Sequence, residues 1–173
     1  MAHKLFNRFM PDPEQIRRHP ALRIFGHLLH DANLWHFNRY SVSTAVFIGV
    51  FAAFIPLPTQ MFIAASLAIW WRANLSLSIG LVWISNPVTI PFMFSGAYFV
   101  GARLLDQPLP TNFTPTWEWF QQQASTLWQP FLLGSVVLGI VIGLIGAIVV
   151  RVLWRVQVVL RWRARTAKRR RSI

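Results

Sequence analysis

This 173-residue chain has no cysteine, so it holds no disulfide, no thiolate metal site and no thiol nucleophile. Acids are nearly as scarce. There are five, Asp12, Glu14, Asp31, Asp106 and Glu118, and none falls within an apolar segment. General acid–base and carboxylate-nucleophile chemistry need carboxyl groups held within hydrogen-bond reach in a shielded site. No Ser-His-Asp arrangement or Gly-rich phosphate loop stands out either, so the chain reads as a non-enzyme with no cofactor. Charge of any sign is thin, at 13% of residues, against about 25% in an ordinary soluble domain. The N-terminal MAHKLFNRFMPDPEQIRRH lacks an apolar core, so no cleaved signal peptide is expected.

What is there is greasy and basic. Apolar residues make up 54% of the chain, and nine Trp with fourteen Phe exceed what one small water-soluble core can hide. Seventeen Lys and Arg against five acids give a net charge of +12. Six of the basic residues lie in 1–40 and nine in 151–173, leaving only Arg72 and Arg103 between. Basic ends around an apolar middle predict a multi-pass membrane protein with both termini cytoplasmic.

Residues 1–40 read as a cytoplasmic, interfacial lead-in. Asp12 (N-cap), Pro13 (N1) and Gln15 (N3) mark a helix start. Leu22, Phe25, Leu28 and Leu29 then share a helical face opposite Arg23, His27 and His30, the pattern of a helix lying among headgroups. His27, His30, Asp31 and His36 have loose metal-ligand spacing, but histidines on the wet side of such a helix explain them more simply, and no metal is expected.

The membrane domain spans 41–103. Ser41–Ile55 and Thr59–Trp71 are apolar runs joined by Pro56-Leu57-Pro58, and 75–102 is broken at Asn86-Pro87. A connector at 104–130 follows, with an amphipathic stretch at 115–128 and a periplasmic location. Phe131–Val150 is an uninterrupted span of 20 residues, and 151–173 is a basic tail. A spanning helix needs about 20 apolar residues, so each half of the 41–71 hairpin is short for a crossing. The expected architecture is an all-α integral membrane protein. It has a Pro-tipped, re-entrant hairpin, one broken transmembrane helix, one regular transmembrane helix and interfacial amphipathic helices. Parity of crossings leaves a full double crossing of the hairpin open. Ser41, Ala45, Gly49 and Ala53 form one stripe of small residues, and Ser135, Gly139, Gly143 and Ala147 another. Such stripes let helices approach closely in lipid, either within one chain or between a homodimer or membrane-protein partner.

Four polar motifs in fixed order carry a family resemblance. They are Arg39 before the Gly-containing run GVFAAF, P-L-P-T-Q at 56–60, R-A-N at 72–74 and W-I-S-N-P-V-T at 83–89, with a closing Gly101. In these the chain resembles the bacterial inner-membrane domain-of-unknown-function family 2062, which implies a small integral membrane protein and brings no activity with it. The Pro-tipped hairpin is also loosely similar to the re-entrant loops of DedA-type proteins, implicated in recycling polyprenyl-phosphate lipids. The acids of proton-coupled DedA members are missing here.

Prolines inside apolar segments remove donors and release carbonyls, and paired breaks point to a midplane site; a turn and a kink shaped by proline are the plainer alternative. The candidate ligand-binding residues are Arg39, Pro56, Pro58, Gln60, Arg72, Asn74, Asn86, Pro87 and Thr89. Arg72 reads equally as an interfacial anchor beside Trp70 and Trp71. The expected ligand is an anionic lipid headgroup, met by Arg39 and Arg72 and by free N–H groups at Val88 and Thr89. The tail is expected to meet anionic membrane lipids rather than nucleic acid. The other functional class is a non-transporting scaffold or assembly factor that docks a partner through its small-residue faces.

Overall fold

The structure, a computed structural model, describes residues 32–35, 37–57, 59–107 and 116–170. A 3-10 turn, Ala32–Trp35, precedes five helices: α1 Arg39–Phe54, α2 Gln60–Trp70, α3 Leu75–Val82, α4 Ile90–Leu104 and α5 Trp117–Arg170. No strand occurs among the described residues. The helix start expected at Asp12, the histidines of the lead-in and Thr114 of the connector lie outside the described residues.

Local chemistry sets the boundaries. Asn38 Oδ1 accepts from Ser41 N at 2.7 Å and caps α1. Ile55, ahead of Pro56, leaves the helix for an extended conformation, as a pre-proline residue must. At the end of α2, Ala73 N donates to Ala68 O (2.8 Å) and Arg72 N to Ile69 O (3.2 Å). That is a Schellman closure, and Arg72 occupies its left-handed position with φ 50°. Glycine is usual there; a side chain costs roughly 1–2 kcal/mol in that conformation. Asp106 (φ 51°) does the same after α4, where Gln107 N reaches Ala102 O at 2.9 Å.

The helices α1 and α3 run parallel and in register. Asn74 N donates to Ser41 O (3.3 Å), and Ser78 Oγ to Ala45 O (3.5 Å). A Cβ built on Gly49 would lie 2.6 Å from Leu81 Cβ and 2.7 Å from Ser78 O, so only glycine admits α3 there. The core between α1, α2 and α3 is made of small and branched side chains, among them Ala45, Ala52, Ala64, Ala65, Ala68 and Ile79.

α5 is the spine against which the rest is laid, and it takes α1 and α4 one after the other. Its lower half meets α1, antiparallel: Gly139 lies against Phe51 and Phe54, Gly143 against Phe47, Gly146 against Val46, and Arg151 against Ser43. Its upper half meets α4, also antiparallel. Gly134 lies against Ala97, Pro130 against Gly101, and Leu138 against Gly96. The α1–α2 hairpin therefore stops where α4 begins, partway along Phe131–Val150.

The sequence leads one to expect an interfacial helix near 115–128, a separate transmembrane helix from Phe131 and a distinct tail from Arg151. Instead α5 is continuous over 54 residues through Pro130 and both expected boundaries. Pro130 is buried with its carbonyl against Gly101, so packing holds the helix where one ladder bond is lost. Among the described residues α5 alone is long and apolar enough to cross a membrane, with a mean hydropathy of 2.8 over its most apolar 18 residues. Large side chains face out along it, including Ile140, Val141, Leu144, Ile145 and Ile148, while Gly, Ala and Ser face in.

The tightest joint gives a direct prediction. A Cβ on Gly101 would fall 1.6 Å from Pro130 O, and one on Gly134 1.7 Å from Ala97 O. Gly101→Ala and Gly134→Ala should each cost about 1–3 kcal/mol or more, read as a lowered unfolding midpoint in detergent by intrinsic Trp fluorescence. Gly96→Ala, whose Cβ meets Leu138 Cδ1 at an ordinary 3.6 Å, should be neutral or stabilising by up to about 1 kcal/mol.

Candidate functional site

The two breaks meet. The hairpin tip, Ile55–Thr59, and the α3–α4 loop, Trp83–Thr89, lie at the same end of the α1–α3 unit, and Gln60 ties them together across 25 residues of sequence. Its Nε2 donates to Ser85 Oγ at 3.2 Å, and Ser85 Oγ donates to Val82 O at 2.8 Å. Gln60 is half-buried, Pro56 likewise, and Pro58 lies outside the described residues. Around this polar pair the surface is apolar and open: Leu57, Trp83, Ile84, Val88 and Phe92 are all exposed.

Asn86, Pro87 and Thr89 form a capping box. Asn86 Oδ1 accepts from Val88 N (2.9 Å) and Thr89 N (3.1 Å), and Thr89 Oγ1 returns the favour by accepting from Asn86 N at 3.0 Å. Ile90 N already donates to Asn86 O at 2.8 Å, so helical bonding starts at Asn86 with Pro87 in the first position, where its missing N–H costs nothing. Thr89 Oγ1 donates to Ile84 O, closing the loop. This corrects the expectation of a free anion site. The Val88 and Thr89 N–H groups already have an acceptor, the side chain that precedes them.

Arg39, Arg72 and Asn74 are at the other end of the unit. Asn74 is buried, and its Oδ1 caps α3 by accepting from Leu77 N at 2.9 Å while its own N–H holds Ser41 O. Its side-chain oxygen and backbone N–H are therefore both engaged in joining α3 to the fold. Arg39 and Arg72 are exposed. The eight residues of α3 separate them from Asn86 by about 12 Å of helix rise. The eight described candidate residues thus divide into a neutral polar break and a basic end, and do not converge on one point.

One basic residue at that end escapes a reading of polar motifs. Arg151 Nε donates to Ser43 Oγ at 3.1 Å, joining α5 to the first turn of α1. Its signal lay in the spacing: Arg151 is the next step of the stripe Ser135, Gly139, Gly143, Ala147, on the side of α5 that meets α1, although the side chain is otherwise exposed. Both small-residue stripes are buried within the chain. No cluster of three or more His, Cys, Asp or Glu capable of holding a metal occurs among the described residues.

Residues 22–163 match the family described as an uncharacterized protein conserved in bacteria, DUF2062. The chain belongs to that family. No curated protein and no solved structure matches it. In this DUF2062 member the four polar motifs mark joints of the fold: the start of α1, the hairpin tip, the α2–α3 closure and the capping box before α4.

The capping box can be tested alone. Asn86→Ala should destabilise by about 1 kcal/mol, whereas Asn86→Asp, which keeps the accepting oxygen, should not. A double-mutant cycle of Gln60→Ala and Ser85→Ala should return a coupling of about 0.6 kcal/mol if their bond is an ordinary one between apolar-embedded helices.

Proposed function

We propose that this protein is a small integral protein of the bacterial inner membrane that binds an anionic lipid or lipid-linked phosphate and passes its headgroup between the basic face and a polar break at mid-depth. The observation that carries this reading is the meeting of two helix breaks, tied by Gln60 and Ser85, partway along the apolar span of α5. The 20 residues Phe131–Val150 give about 30 Å of rise, the thickness of a hydrocarbon core. The hairpin tip packs at Gly139, about 12 Å from Phe131 and about 17 Å from Val150 at 1.5 Å per residue. In a bilayer the hairpin is re-entrant, α3 and α4 together make one broken crossing, and α5 makes the return. Arg39, Arg72 and Arg151 then face the cytoplasm, and Arg103 and the connector face the periplasm, in keeping with the positive-inside rule.

An inverted interior supports the bilayer setting. Small residues fill the contacts and Leu, Ile and Val face out along α5, the arrangement expected where lipid, not water, surrounds the helices. Irregular backbone at mid-depth is tolerated only beside protein or in a wet cavity, so the break is where a polar headgroup finds partners. The capped Val88 and Thr89 amides leave that point neutral, with amide and hydroxyl groups for the uncharged part of a headgroup. The phosphate itself belongs with the guanidiniums, which offer planar two-point contacts. Arg72 holds a left-handed backbone that glycine would adopt at no cost, a sign that its side chain earns the position. A scaffold that docks partners through its small-residue faces is less favoured, because those faces are filled from within.

Purified protein in liposomes with fluorescent phospholipid or polyprenyl phosphate and a membrane-impermeant quencher tests the activity. Wild-type protein should accelerate transbilayer exchange. Arg72→Lys keeps the charge and should slow exchange by about tenfold, the loss of one charge-assisted hydrogen bond of about 1.5 kcal/mol. Exchange no faster than in empty liposomes overturns the lipid reading.

Topology is tested separately, on single cysteines in the cysteine-free chain. An impermeant thiol reagent added to intact spheroplasts should label Thr114→Cys and spare Leu57→Cys and Ser172→Cys. Labelling at Ser172, or protection at Thr114, overturns the orientation.

A further inference from the structure

Helix α5 does not stop where the bundle does. Its hydrogen bond to α1 is made at Arg151, yet the helix continues to Arg170. Beyond Arg151 the side chains of Val152, Leu153, Val156, Val159 and Leu160 are exposed. At 3.6 residues per turn these five share one arc of about 120°; Arg151, Arg155 and Arg161 lie roughly 100–140° from its centre, among Trp154, Val158 and Trp162, and Arg163 follows the arc at its C-terminal end. From 151 to 170 there are eight Lys and Arg and no acid. Arg151 and Arg155, Arg161 and Arg165, and Arg165 and Arg169 are like-charge pairs at i,i+4, which weaken a helix in water.

An exposed apolar arc flanked by uncompensated guanidiniums needs an occupant that is apolar on one side and anionic on the other. A second copy of this helix would bring sixteen like charges together. Nucleic acid would meet the charge and leave the arc in water. A leaflet of anionic lipid satisfies both.

Length argues for the same partner. The charge-free run Phe131–Val150 already gives about 30 Å of rise, the thickness of the hydrocarbon core, so the helix that continues past Arg151 enters the headgroup layer.

Resting on the membrane reading above, we propose that residues 151–163 of α5 run obliquely through the cytoplasmic headgroup layer as an anchor for anionic phospholipids. The Val152–Leu160 arc lies at the acyl boundary, and the arginine stems lie along it with their guanidiniums raised to the phosphates.

The absence of cysteine makes spin labelling direct. Single cysteines at Val156 (on the arc), Val158 (opposite) and Ile145 (mid-span) are labelled in the full-length protein. They are compared in vesicles of phosphatidylcholine alone and with phosphatidylglycerol. The expected result is oxygen access and nickel-chelate exclusion at Ile145 in both. At Val156 the oxygen-to-nickel access ratio should rise severalfold with phosphatidylglycerol and fall again in high salt, with Val158 staying the more nickel-accessible.

Equal nickel access at Val156 and Val158 in both vesicles, with Ile145 still protected, overturns the anchor and leaves the membrane reading standing. Nickel access at Ile145 overturns the membrane reading itself. Dipolar broadening between Val156 labels assigns the arc to a second copy, and ordering of that label by duplex DNA in detergent assigns it to nucleic acid; either result overturns the proposal.

Discussion

Backbone touches backbone where α4 crosses α5, and the architecture rests on that contact. The carbonyl of Pro130 sits where a Cβ on Gly101 would be, and the carbonyl of Ala97 sits where one on Gly134 would be. Helices this close gain dispersion and Cα–H···O contacts along their shared length, and no larger residue can be accommodated. Fixing α4 against the upper half of α5 leaves the lower half, with Gly139, Gly143 and Gly146, as the surface available to α1. The hairpin then ends where α4 begins, and the two breaks are brought to one level.

Much of this was legible because the decisive signals are local. Pro56 ends α1 through its effect on Ile55, and Asn86-Pro87 ends one helix and starts another. Thus the elements seen at 39–54, 60–70, 75–82 and 90–104 follow the expected segments closely. Gly49 and Gly143 announced close approach correctly, since a missing side chain admits a neighbour wherever the helix goes.

What stayed hidden depends on partners distant in sequence or on geometry a residue type does not announce. Pro130 read as a boundary, and only the buried packing of its carbonyl against Gly101 shows why the helix runs through it. Arg72 in a glycine's conformation has no sequence signature. The pairing of Gln60 with Ser85 requires the parallel register of α1 and α3. Asn86 is a different failure. The pattern Asn-Pro-Val-Thr spells a capping box, and treating the broken helix as an open anion site overlooked the acceptor already there.

The tandem packing of α1 and α4 along one spine also orders events in time. Synthesis proceeds from the N-terminus, so the α1–α2 hairpin leaves the ribosome long before α5 exists. Each of its arms, 16 and 11 residues, is below the roughly 20 that cross a bilayer unaided, and its breaks have irregular backbone that lipid alone does not tolerate. On the proposed membrane reading, the part made first is thus the part that settles last: it gains its place only when the final helix offers Gly139 and Gly143 as a berth.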